Sequence, residues 1–392
     1  MAKKQTDEGV ARGSDAAFPK EEIDARQRRL KRALAAAGID LYLTSGAENI
    51  FWLSGQQTPG YYTFQCLAVP AKGAAFLMLR GLETHNARAN SYLSRIVGYA
   101  DDANPADAVA EIVESRGFKG RRIGIDRNAW FLTPNLFDRL RGRLGQMEDA
   151  GGIVESLRRV KSARELAAIR AAARANDAGM SAGLEAVRAG ATDNDVAAEV
   201  MHAAIKAGSE YVGMEPFVVS GPRSGLPHAT WRRRRIRKRD IVVLETAACY
   251  HRYHAASFRT VAVGRVPRMA RDWYEVCLEA FAAGAQMLRP GQTCADVHNA
   301  VQAVIDDAGC TEAFRKRSGY SIGISFAPDW GEGNILSLFR GVDVQLEPGM
   351  VFHVPITLRD YGRFTVAVSE TIEVTSRGPR ILSKLSRDLV EA

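Results

Sequence analysis

The chain holds 392 residues, 46% of them hydrophobic and 25% charged, with a formal net charge of +8. That length exceeds one ordinary core and predicts two domains of a globular protein. No apolar run approaches the roughly 18 residues of a membrane-spanning helix, so none is expected.

The opening MAKKQTDEGVARGSDAAF is polar and lacks an apolar h-region. It reads as a mobile tail over residues 1–19 and not as a secretory signal. From Lys20, the residues Ile23, Leu30 and Leu34 recur at helical spacing, and Gly38 closes the helix. Residues 39–43 read as a strand, and 49–53 form an apolar patch before Gly55. Tyr61, Tyr62 and Phe64 cluster after Pro59-Gly60, and segments 66–69 and 74–79 read as paired strands. Another strand is expected over 121–126, then a helix from Pro134 through Leu144 with Gly145 past its end. Strands alternating with helices over 20–157 predict an α/β domain.

A seam is expected near Leu157-Arg158-Arg159-Val160-Lys161-Ser162, with the second domain over 158–392. An Ala-rich helix over 163–182 and a helix over 193–207, with Val196, Val200 and Ile205 on one side, lead into a polar stretch. There Ile241, Val242, Val243 and Leu244 read as a strand covered on both faces, ending in Glu245. Arg252, Tyr253 and His254 follow, then a second strand stopped by Gly264. Helices over 267–288 and 295–308 precede further strands over 319–326, 350–355 and 366–375. Helix–helix–strands therefore occurs twice, a weak internal duplication that fits an antiparallel sheet with helices packed on one face.

Five cysteines, Cys66, Cys249, Cys277, Cys294 and Cys310, share no CxxC spacing. Their scatter points to a reducing cytoplasm and away from a zinc site or disulfide framework. Much of the net charge lies in Arg232, Arg233, Arg234, Arg235, Arg237, Lys238 and Arg239. Few aromatics interleave with them and Asp240 closes the run, so a solvated hairpin is expected in preference to a nucleic-acid surface.

Several blocks together carry a family resemblance. Arg159-Val160-Lys161-Ser162 with Glu165, PHATW at 227–231, an acid at 245, Arg259-Thr260, LEPGMVF at 346–352 and SETIEVT at 369–375 resemble the pita-bread superfamily of aminopeptidase P, prolidase and creatinase. The resemblance implies an α+β architecture. It would comprise a C-terminal pita-bread domain with pseudo-two-fold antiparallel sheets and a smaller N-terminal α/β creatinase-type domain. It also implies a cytoplasmic homodimer in which the N-terminal domain closes the partner's active site, with no membrane partner.

Metallopeptidases of this superfamily hold two metal ions on two Asp, one His and two Glu. By resemblance those positions fall here on Glu245, Ala256, Tyr320, Pro355 and Glu370. Two carboxylates are too few for a pair of divalent ions, so no metal and no cofactor is expected, and a metal-dependent Xaa-Pro peptidase is disfavoured. PHATW, YHRYHA at 250–255, GYSIGISFAPDWGE at 319–332, PGMVFH at 348–353 and SET at 369–371 resemble the metal-independent ectoine hydrolases most. The segment GQQTPGYYTFQC at 55–66 departs from that pattern.

The implied activity is metal-independent hydrolysis of a C–N bond in a small nitrogenous zwitterion. A creatinase-like amidinohydrolase, a hydrolase of another cyclic amide or amidine, and an inactive binding scaffold stand as alternatives. Such a reaction needs an anion beside the cationic substrate, a base or nucleophile, and an acid for the leaving nitrogen. Glu245 and Glu370 would supply carboxylates with separated pKa values, and His228 a proton shuttle. His254 and His353 are candidates for substrate contact or for orienting a glutamate. Trp231 or Trp330 would stack on a planar cation or simply pack. Tyr320 is expected to face the cavity, and Arg259 to bind a substrate carboxylate or form an internal salt bridge.

Overall fold

The computed structural model describes residues 10–392, which form two compact units, one ending at Arg158 and one spanning Arg159–Ala392. Residues 1–9 of the expected tail lie outside the described residues. Residues 10–19 are not loose: Gly13 and Asp15 donate backbone hydrogen bonds to Arg88 and Ala89, and Phe18 is buried against Phe51.

In the first unit, strands β1 (Leu41–Thr44), β2 (Cys66–Pro70), β3 (Phe76–Arg80), β4 (Ile96–Tyr99), β5 (Ile123–Ile125) and β6 (Met147–Asp149) form one sheet of order β4-β3-β2-β1-β5-β6. Pairing is antiparallel within β1–β2–β3 and parallel elsewhere, as an α/β sheet requires. Helix α1 (Lys20–Ala37) ends as expected at Gly38, whose φ of 70° is the left-handed cap glycine accommodates cheaply. The apolar patch before Gly55 is helix α2 (Ala47–Ser54). Helices α3 (Thr84–Asn90), α4 (Pro105–Ser115), α5 (Pro134–Leu144) and α6 (Ile153–Arg158) complete the unit.

The second unit opens with α7 (Ala163–Ala186), started by a capping box between Ser162 and Glu165. Helix α8 (Asp193–Lys206) follows, then strands β7 (Phe217–Ser220), β8 (Ile241–Tyr250) and β9 (Tyr253–Ala262). Val196 and Val200 of α8 are buried as expected, whereas Ile205 is 61% exposed, beside the stripe that continues at buried Ala204. Helices α9 (Arg268–Met287) and α10 (Cys294–Asp307) precede β10 (Gly319–Ser321), β11 (Ser337–Leu338), β12 (Val351–His353), β13 (Ile356–Asp360), β14 (Phe364–Val368), β15 (Thr371–Thr375), β16 (Gly378–Ile381) and β17 (Val390–Glu391). They form a sheet β17-β9-β8-β7, a sheet β11-β10-β12-β15-β16 and the ribbon β13-β14. The single strand expected over 366–375 is in fact two, and they belong to different sheets.

The internal duplication is visible in side-chain detail. Helices α8 and α10 both start with a Thr-x-x-Asp capping box, at Thr192 and Thr293, and each threonine bridges to a later extended segment. A Cβ on Gly183 of α7 would meet Val200 at 2.4 Å, and one on Gly284 of α9 would meet Val301 at 2.5 Å. Glycine, threonine and valine recur at identical spacing in the two halves, so each helix pair closes on the same missing side chain. α7 packs on β8 and β9, and α9 on β13 and β14. Among the described residues no helix is long and apolar enough to cross a membrane.

Candidate active site

Alternation along β8 decides what surrounds Glu245. Val242 and Leu244 enter the apolar cluster under α7 and α8, while Ile241 and Val243 enter the larger core shared with α9 and β14. Glu245 continues the second face, opposite Phe217 on β7 and Phe258 on β9. It is half-buried, and burial pushes its carboxyl up to about 7, against the pull of Lys316 and Arg359 and with help from Asp329. No hydrogen bond or ion pair reaches this carboxylate among the described residues.

Lys316 answers Glu245 from the segment before β10. Burial pulls its ammonium down to about 8, opposed by Glu245, and among the described residues it too has no ion pair or hydrogen bond. Arg359 of β13, also half-buried, is held by its Nε on Thr365 Oγ1 at 3.0 Å. Sequence reasoning missed both cations. Lys316 lies in the run Arg315-Lys316-Arg317, which has the look of a solvated surface loop and carries no apolar period.

Strand register brings a relay of hydrogen bonds alongside. Tyr320 of β10 lies opposite His353 of β12, and the Tyr320 hydroxyl meets His353 Nδ1 at 2.8 Å. His353 Nε2 meets Ser369 Oγ at 2.6 Å, and Trp330 Nε1 donates to the Tyr320 oxygen at 3.0 Å. An indole N–H can only donate, so Tyr320 always accepts from Trp330 and keeps its own O–H to give. Burial, reinforced by Lys316 and Arg317, pushes His353 down to about 3, so it stays neutral. Burial and then Glu245 hold the Tyr320 phenol protonated. The ring needs Gly331, where a Cβ would come within 2.4 Å of it.

His228 stands at the exposed rim, in a left-handed backbone conformation with φ 53°. Its ring is 5.9 Å from that of Phe217, which in turn lies 5.4 Å from Trp330. The structure thus gathers Glu245, Tyr320, Trp330 and His353 directly, and His228 through Phe217.

Four expected site residues are placed elsewhere. Trp231 packs against the cluster of Val242 and Leu244, on the sheet face away from Glu245. His254 is buried with both ring nitrogens engaged: Nε2 accepts from the Gly213 N–H and Nδ1 meets the Arg252 carbonyl. Burial pushes it down to about 3, so it is a neutral strut and not a substrate contact. Arg259 takes the second of its two expected roles, an internal salt bridge, in a fully buried ion pair with Glu370 at 2.6 Å. Arg259 also donates to the carbonyls of Phe258, Ser369, Ser386 and Leu385. Glu370 is therefore not a free second carboxylate, since one oxygen is held by Arg259 and Arg387. Ser369 turns toward His353, so the next residue, Glu370, turns away from it toward Arg259 and Arg387.

Among the described residues no group of three or more His, Cys, Asp or Glu is placed to hold a metal ion. At the five positions the resemblance assigns to ligands, Ala256 and Pro355 offer no side-chain donor, and Glu370 gives Oε1 to Arg259 while its Oε2 is buried without a hydrogen bond among the described residues. Lys316 adds a positive charge that acts on Glu245. These residues do not fit a dinuclear metal centre.

Known proteins frame this geometry. The model of metallopeptidase family M24 matches residues 167–376, and that of the Creatinase/Prolidase N-terminal domain matches residues 26–160. The chain is similar to the ectoine hydrolase of Halomonas elongata, at 28% identity over 95% of this chain and 98% of that one. Among solved structures it is similar to an Xaa-Pro dipeptidase from Bacillus anthracis, with a TM-score of 0.81 and 25% identity over 94% of this chain and all of that one. A prolidase from Thermococcus sibiricus superposes with a TM-score of 0.85 at 23% identity, over 94% of this chain and 99% of that one.

Proposed function

We propose, on the premise that this chain belongs to metallopeptidase family M24 and carries a Creatinase/Prolidase N-terminal domain, that it is a hydrolase working without metal on a C–N bond of a small nitrogenous zwitterion, with a cyclic amidine such as ectoine as the leading substrate. One observation carries the proposal: Glu245 is a half-buried carboxylate without a hydrogen bond or ion pair among the described residues, balanced near neutrality, at a site whose residues do not fit a metal pair. The similarity to an ectoine hydrolase across nearly the whole chain supports the substrate class.

A carboxyl group near 7 is divided between acid and base at neutral pH, which suits it to both halves of a hydrolysis. In the first half the Glu245 carboxylate takes a proton from water while the water oxygen bonds to the amidine carbon. In the second half the C–N bond breaks and the leaving nitrogen receives that proton back, giving an amide and an amine. The Tyr320 hydroxyl supplies a hydrogen bond to a nitrogen or oxygen of the reacting group, and the neutral His353 fixes its orientation. A route in which Glu245 itself bonds to the carbon gives the same products and differs in where labelled solvent oxygen appears.

The reading is tested by incubating the protein with ectoine, creatine and an Xaa-Pro dipeptide and following each by mass spectrometry. Ectoine is expected to gain one water. Cleavage of the dipeptide alone would replace the reading with a peptidase.

A further inference from the structure

We propose that Lys316 and Arg359 form an anion subsite facing Glu245, which takes the carboxylate of the substrate while its amidinium or guanidinium end lies against Glu245. This rests on the hydrolase reading above and adds the binding polarity to it.

Three cations, Lys316, Arg317 and Arg359, act on this region, against two carboxylates, Glu245 and Asp329. Arg317 is already occupied: it lies 4.7 Å over the Tyr320 ring and donates to Gly333 and Ser337. A purely cationic substrate would add to the positive surplus, whereas a zwitterion brings the missing negative charge.

Glu245 and Lys316 influence one another electrostatically, yet no ion pair or hydrogen bond joins them among the described residues. Opposite charges in a poorly solvated site gain by closing on each other unless the backbone holds them apart. Here β8 fixes one, and the segment leading into β10 the other. A molecule with a cationic and an anionic end satisfies both.

Arg359 and Thr365 are register partners across the β13–β14 ribbon, so the Nε hydrogen bond aims the guanidinium from a rigid element. The Tyr361 ring lies 5.8 Å from it. A planar fork held this way is suited to a carboxylate.

Two measurements test the subsite separately from the hydrolase reading. In the first, kcat/KM is compared for ectoine and for the same cyclic amidine lacking the carboxylate. Wild-type protein is expected to prefer ectoine at least about tenfold, and Lys316→Met and Arg359→Met to lose most of that preference through KM, as removal of a charge-assisted hydrogen bond implies. Full retention of the preference in both variants overturns the subsite and leaves the hydrolase reading standing.

The second measurement needs no turnover. Lys316 is labelled with an amine-reactive acylating reagent and mapped by peptide mass spectrometry, with propionate or neutral propionamide at matched ionic strength. Propionate is expected to slow labelling of Lys316 severalfold and propionamide to leave it unchanged. Equal rates, or no labelling of Lys316 at all, overturn the subsite. Protection by propionate in a protein that does not hydrolyse ectoine would keep the subsite and remove the hydrolase reading.

Discussion

Glu245 is held in a state a surface carboxyl would not adopt, and its neighbours set the pH behaviour. As the proposed base, it would gain activity while pH rises through about 7, and Lys316 would lose its charge, and its proposed hold on a carboxylate, as pH passes about 8. A bell-shaped kcat/KM profile with its maximum between those values is expected. Lys316→Met should move the acid limb to higher pH, because Lys316 lowers the Glu245 pKa, and should abolish the alkaline limb. Stability follows the opposite sign from the usual acid. A carboxyl raised in the folded state is lost as stability while pH climbs from its ordinary value of 4.5 through about 7. Glu245→Gln should therefore melt higher than wild type above about 7, match it below 4.5, and be inactive. Tyr320→Phe strips the partner from Trp330 Nε1 and His353 Nδ1. It is expected to cost about 1–3 kcal/mol in denaturant unfolding and to lower kcat more than it raises KM.

At the scale of elements, buried ion pairs fasten the segments that carry the site. Lys161 pairs with Glu332 at 2.8 Å, both essentially buried, and also reaches Ser321. The pair ties the start of the second unit to the end of the 319–332 block, which supplies Tyr320, Asp329 and Trp330. Lys161→Met takes a paired positive charge from buried Glu332 and is expected to cost roughly 3–5 kcal/mol, partly recovered in the double variant with Glu332→Leu. Thermal melts of the single and double variants check this. Arg259 and Glu370 fasten β9 to the segment carrying Leu385 and Ser386 in the same manner. Elements with strong local signals were legible in the chain: Thr133-Pro134 and Gly145 bracket α5 at the expected residues. Helix α3, THNARAN, carries no apolar period and was not. The site was half legible for a related reason. Sequence locates Ser369 and Glu370 but does not reveal that strand pairing changes sheets between Val368 and Thr371, and that change decides which of the two side chains faces His353. Trp231 failed similarly, since a polar stretch does not show on which side of β8 it will pack.

Across the whole molecule, a duplicated helix-pair scaffold frames chemistry that is not duplicated. Capping threonines and packing glycines repeat in the two halves of the second unit, whereas Glu245 comes from the first half and Lys316, Tyr320 and His353 come from the second. The fold superposes on a prolidase, and the proposed site centres on one poised carboxylate among cations. The most direct test of that account is ectoine turnover by chelator-treated protein whose metal content is measured in the same sample. Wild-type protein is expected to convert ectoine at full rate without metal, and Glu245→Gln to give none. Activity that disappears with the chelator and returns only on adding divalent metal would contradict the account.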